Sequence, residues 1–132
     1  MIVIDASALT AIILKEEGWE SLLDASDLFI SVDLLHKEVA NAIWAASLSG
    51  RISEENAKES FSLLKEFIQH NVILRPQARY LDKALEIALK HKITVYDSIY
   101  IALSIEEILP LLTLDSEQAR VAWAEGVKPI GW

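Results

Sequence analysis

At 132 residues the chain is long enough for one domain with a substantial core, expected to span residues 1–132. The absence of cysteine excludes disulfides, thiolate zinc sites and a cysteine nucleophile. Twenty acidic residues against 12 basic give a net charge of −8. That balance argues against broad nonspecific nucleic-acid binding, yet leaves open a nuclease that meets phosphate through cations held in an acidic pocket.

Hydrophobic residues make up 52% of the chain, four of its residues are Trp, and the mean hydropathy is +0.28. This is high for a soluble monomer, and a homo-oligomer contact is expected to take up some apolar surface. No stretch approaches the roughly 18 uninterrupted apolar residues of a membrane span, and no basic segment precedes an apolar one at the N-terminus. The expected location is the cytoplasm, with no membrane partner.

The chain opens with Ile2-Val3-Ile4-Asp5. Three consecutive apolar residues running into an aspartate predict a strand buried on both faces, as in a parallel sheet. A helical pattern begins at once with Ala8, Leu9, Ile12 and Ile13, so Asp5 falls between a strand end and a helix start. In open α/β sheets that edge is where ligands bind, although a helix N-cap is an equally simple role for Asp5.

After the break at Lys15-Glu16-Glu17-Gly18, a short amphipathic helix carries Trp19, Leu22 and Leu23. Leu28-Phe29-Ile30-Ser31-Val32 predicts the second strand, with Asp33 as the N-cap of the next helix. Leu35, Val39, Ala42, Ile43 and Ala46 mark that helix's core stripe, and Gly50 ends it. Glu38 shares a face with Asn41 and Ala42 beside the stripe. Ser53-Glu54-Glu55 starts a further helix, whose expected buried stripe is Ala57, Phe61, Leu64 and Ile68.

Val72-Ile73-Leu74 reads as a third strand, stopped by Pro76. A helix over about residues 77–91 carries Leu81, Leu85, Ala88 and Leu89. The next opens near Tyr96-Asp97 and carries Ile99, Ala102 and Leu103. Leu111 to Leu114 form the fourth strand, closed by Asp115, then a helix runs from Ser116 to Glu125, and Val127 to Ile130 form a last short strand. Strands alternating with helices predict a three-layer α/β/α fold around a small parallel sheet of four or five strands.

Four acids occupy comparable places. Asp5 and Asp115 follow strands, Glu38 lies early in the helix after the second strand, and Asp97 lies in the first turn of the helix that leads to the fourth. Simple roles exist for each: Thr94 with Asp97 matches a capping box, Asp115 with Gln118 a similar cap, and Glu38 a solvated helix acid. Gathered at one sheet edge they would need a counter-charge. Two carboxylates ~4 Å apart repel by roughly 4 kcal/mol at an effective dielectric of about 20. Oxygen-only ligands suit Mg2+ or Mn2+ and not zinc.

Val3-Ile4-Asp5-Ala6-Ser7-Ala8-Leu9 resembles the opening of PIN-domain proteins. Glu38-Val39-Ala40-Asn41-Ala42, Tyr96-Asp97-Ser98-Ile99-Tyr100-Ile101-Ala102-Leu103 and Leu112-Thr113-Leu114-Asp115 are similar to their second, third and fourth motifs, in the family order. Length and layout are most similar to the toxin component of VapBC-type toxin–antitoxin modules. The resemblance implies a Mg2+- or Mn2+-dependent endoribonuclease that hydrolyses RNA phosphodiester bonds by metal-activated water, forms a homodimer, and is held inactive by a cognate antitoxin. It implies Asp5, Glu38 and Asp97 as principal metal ligands and Asp115 as a direct or water-mediated one. Ser7 and Thr113 would orient acids or waters, and Asn41 would support Glu38.

Two alternatives stand beside this one. A housekeeping PIN-type RNA-processing nuclease would share the chemistry. A receiver-like phosphoacceptor domain would also place acids at strand ends and a Lys-Pro pair such as Lys128-Pro129 on its last strand. Against the receiver, Asp5 stands alone where a pair of acids is needed, and only Gly131 and Trp132 follow Ile130. Lys15, Lys37, Arg51, Arg75, Arg79, Lys90 and Lys92 are candidate contacts for a nucleic-acid backbone, each equally readable as a solvated surface charge.

Overall fold

A computed structural model describes residues 1–131. Five strands form one sheet in the order β3-β2-β1-β4-β5, every neighbouring pair parallel. The strands are β1 (Ile2–Ile4), β2 (Phe29–Val32), β3 (Val72–Arg75), β4 (Leu111–Leu112) and β5 (Pro129–Ile130). The helices are α1 (Ala6–Ile13), α2 (Trp19–Leu23), α3 (Leu34–Leu48), α4 (Glu54–Asn71), α5 (Leu81–His91), α6 (Val95–Glu107) and α7 (Ser116–Ala124), with a 3-10 turn over Gln77–Tyr80 before α5.

The apolar run of β1 is buried on both faces, with Val3 and Ile4 wholly inaccessible. Helices must therefore cover both sides of the sheet. Right-handed crossovers from β1 through β2 to β3 carry α1 to α4 over one face, and the return through β4 to β5 carries α5 to α7 over the other. The packing agrees: α1 contacts α3 and α4, whereas α6 contacts α5 and α7. The winding reverses between β1 and β4, so the crevice at the carboxyl ends of these two strands is the switch point of the sheet. A receiver-like domain would have the order 2-1-3-4-5 instead, and that alternative is excluded.

Four helices start on side-chain caps. Asp5, Ser53, Thr94 and Asp115 accept from the backbone N–H groups of Ala8, Asn56, Asp97 and Gln118. Asp33 is not such a cap: its backbone is helical and its Oδ1 accepts from Gln77 N at 3.0 Å, tying the start of α3 to the turn after β3.

Three expectations change. On α4, Leu64 and Ile68 are buried, but Phe61 is 40% exposed. On α5, Leu81, Leu85 and Leu89 face outward, and Ala84, Ile87 and Ala88 make the core contact. Small residues here let α5 and α6 approach closely, and these two helices share the most extensive helix–helix contact of the fold. The last two strands are shorter than the apolar runs that mark them, two residues each.

Candidate active site

Strand β1 delivers Asp5 to the switch point, where it is 1% exposed. Its carboxylate is held by three side-chain or backbone donors. Ala8 N donates to Oδ1 at 2.9 Å, Thr113 Oγ1 donates to Oδ2 at 2.6 Å, and Ser7 Oγ lies 2.8 and 2.9 Å from the two oxygens. Ser7 and Thr113 are fixed in turn: Leu114 N donates to Ser7 Oγ and Asp115 N to Thr113 Oγ1. Burial nevertheless dominates. It pushes the Asp5 carboxyl up to about 6, the hydrogen bonds from Thr113, Ala8 and Ser7 pull it back, and the charge of Asp115 adds to the rise.

Asp115 follows β4 and caps α7 with Oδ1 alone, accepting from Gln118 N at 2.9 Å. Helix capping and a place in the site are thus compatible for this residue, as they are for Asp5. Asp97 enters from the first turn of α6. Thr94 Oγ1 accepts from its backbone N–H at 3.1 Å, and Gln118 Nε2 donates to its carbonyl at 3.1 Å, which ties α7 to α6. The Asp97 carboxyl is raised by burial first and by Asp115 second.

Glu38 comes from α3, on the opposite helical layer. Tyr100 Oη donates to its Oε1 at 2.6 Å. Burial raises the Glu38 carboxyl, the phenol lowers it, and Asp97 raises it. Asn41, one turn further along α3, is exposed and makes no hydrogen bond to Glu38. The sequence assigns neither Tyr100 nor Gln118 a part in orienting the acids; the structure shows Tyr100 bonded to Glu38 and Gln118 to the Asp97 carbonyl. A tyrosine in a helix as apolar as α6 needs a partner for its hydroxyl, and its position three residues after Asp97 puts both on one helix face.

The four acids therefore form a linked electrostatic set. Asp115 repels both Asp5 and Asp97, and Asp97 repels Glu38. They do not form a closed cage: among the described residues, no three His, Cys, Asp or Glu side chains are grouped tightly enough to hold one ion. The donor set is all oxygen, and Asp5 is buried in a state where ionisation is costly. Both features fit a hard cation that keeps several waters and takes few carboxylates directly, as Mg2+ does.

A large concavity lies away from these acids. It is a groove of about 900 Å3 between α3 and α4, lined by Trp44, Leu48, Ile52, Phe61 and neighbours. Perturbed carboxylates at the switch point mark a better candidate site than volume does. Of the candidate backbone cations, Arg51, Arg75, Arg79 and Lys90 pair with Glu16, Glu107, Glu106 and Glu125. Lys15, Lys37 and Lys92 have no ion-pair partner among the described residues.

The PIN domain family model matches residues 2–124. The chain belongs to the PIN-domain family. It is 36% identical over 122 residues to ribonuclease VapC3 of Pyrobaculum aerophilum, which covers 89% of this chain and 92% of that one. It is 35% identical over 128 residues to ribonuclease VapC1 of Mycobacterium tuberculosis, covering 95% of this chain and 86% of that one. Among solved structures, PAE2754 from Pyrobaculum aerophilum superposes with a TM-score of 0.65 at 23% identity, covering 98% of this chain and 88% of that one. FitAcB from Neisseria gonorrhoeae superposes with a TM-score of 0.59 at 15% identity, covering 98% and 96%. Both share the fold. The PIN family match runs through all four acids of the site, from Asp5 to Asp115. Among the described residues, no helix of this PIN-domain chain is long and apolar enough to cross a membrane.

Proposed function

We propose that the protein is a Mg2+- or Mn2+-dependent endoribonuclease and the toxin of a toxin–antitoxin pair, acting in the cytoplasm as a homodimer. The observation that carries the chemistry is the buried Asp5 carboxylate, raised to about 6 and repelled by a second acid at the switch point of the sheet. The names of the relatives, both ribonucleases of the VapC type, support RNA as the substrate.

Asp5, Glu38 and Asp97 would be the principal ligands of the ion, reaching it directly or through waters it retains, with Asp115 also doing so directly or through water. When bound, such an ion polarises a phosphodiester and makes water more acidic. The chain's own residues prepare the site for it. Ser7 and Thr113 fix Asp5 in one orientation and make its ionised form less costly. Asp115 uses one oxygen on its helix and keeps the other outside the cap. Lys37, exposed and one residue before Glu38, supplies a local positive charge for the RNA backbone in an otherwise acidic molecule.

The two unpartnered apolar features support protein partners. The outward leucines of α5, Leu81, Leu85 and Leu89, recur every four residues and form a stripe suited to a second copy of the chain. The groove between α3 and α4, with Trp44 and Phe61 on its walls, suits an amphipathic segment of an antitoxin. An antitoxin arginine is the side chain best matched to the carboxylates themselves.

The test is cleavage. Purified protein with Mg2+ or Mn2+ is expected to cut RNA endonucleolytically, and EDTA to stop it. Asp5→Asn should lower the rate by orders of magnitude. Equal cleavage in EDTA would overturn the proposal.

A further inference from the structure

We infer that Tyr100 is a positioning residue for Glu38, a strut that sets the orientation in which this carboxylate is presented to the ion. The inference rests on the metal-site reading above. Glu38 belongs to α3, which covers one face of the sheet; Tyr100 belongs to α6, which covers the other. Their hydrogen bond, 2.6 Å long between residues 62 positions apart, spans the two helical layers. Glu38 makes no other side-chain hydrogen bond among the described residues. Its long, flexible side chain would otherwise be free to choose among rotamers.

The rest of the surroundings suit a strut. Tyr100 is 1% exposed, so packing fixes its ring and hence the position of Oη. In this contact the phenol is the donor and the carboxylate the acceptor. Donation to Oε1 leaves Oε2 of Glu38 for another partner. Because Tyr100 sits three residues after Asp97, one helix face delivers both a carboxylate of the site and the anchor of a second.

The test is a double-mutant cycle read by Mn2+ binding, using electron paramagnetic resonance of free Mn2+, with melting temperatures measured in EDTA alongside. Tyr100→Phe keeps the ring and removes only the hydroxyl, so the core stays filled. The expected result is a Kd for Mn2+ raised by about 10- to 100-fold, the usual effect of removing an outer hydrogen-bond partner of a ligand. On a Glu38→Gln background the same substitution should change the Kd little, because the carboxylate it positions is gone. An equal loss on both backgrounds, or a lower melting temperature with unchanged Mn2+ affinity, would overturn the positioning role and leave Tyr100 as a packing residue. Wild-type protein that binds no Mn2+ would instead overturn the metal site itself, and this role with it.

Discussion

Thr113 Oγ1 donates to Asp5 Oδ2 at 2.6 Å, joining the ends of two adjacent parallel strands across 108 positions of sequence. Both residues are buried, and the bond lies at the switch point of the sheet. Thr113→Val keeps the shape and removes this donor from a carboxylate whose ionisation is already opposed by burial. The variant should be destabilised by about 1–3 kcal/mol at pH 7 in EDTA. The loss should be smaller at pH 4, where Asp5 is protonated and no longer needs the donor. Thermal melts at the two pH values check this; an equal loss at both would remove the charge from the explanation.

Asp5 also sets a pH dependence of stability. Its carboxyl is raised from 3.8 to about 6 in the folded chain, so between these values the folded state binds the extra proton. Stability therefore falls as pH rises through this window, and the full cost, on the order of 3 kcal/mol, is present above it. Asp5→Asn removes the cost. In EDTA the variant should melt above wild type at pH 7, and the gap should close as pH falls from about 6 to about 4. A gap independent of pH would contradict the burial account.

Asp97 and Thr94 separate site from cap. Thr94 provides the capping oxygen, whereas the Asp97 carboxyl is raised by burial and Asp115. Thr94→Ala should cost about 1 kcal/mol whether or not Mg2+ is present. Asp97→Asn should melt at or above wild type in EDTA, with a reduced rise on adding Mg2+. Melts of the three proteins across a Mg2+ series decide it. An Asp97→Asn protein that is less stable than wild type and responds equally to Mg2+ would leave Asp97 outside the site.

The leucine stripe of α5 predicts an oligomer. Leu85, 51% exposed at the middle of the stripe, is a position where a charge would be harmless in a monomer. Leu85→Arg should convert a dimer to a monomer in sedimentation equilibrium at micromolar concentration, with its melting temperature falling accordingly. A wild-type protein already monomeric there would refute the homodimer.

Much of this arrangement was legible in the residues. The unbroken apolar run before Asp5 and the aspartate after Leu111 to Leu114 located the two strand ends that flank the switch point. Thr94 and Asp115 were recognisable as caps from their spacing alone. What was not legible depended on which side of an element faces inward. Helix α5 is apolar on two faces, so periodicity, which picks out the buried Ala88, could not choose between Leu81, Leu85 and Leu89 and the other core residues Ala84 and Ile87. The link from Tyr100 to Glu38 crosses from one helical layer to the other, and no local pattern encodes it. The linked acids are also spread more widely than their strand-end positions suggested, and carry no closed three-acid cage among the described residues.

The proposed function requires the acids at the carboxyl edge to form one site for a divalent cation. Anomalous diffraction from crystals soaked in Mn2+ tests it most directly. An anomalous peak is expected at the switch point between the carboxylates of Asp5, Glu38 and Asp97, within reach of Asp115 directly or through water. A well-soaked crystal with no peak at that edge, or with Mn2+ bound only at other carboxylates, would contradict it.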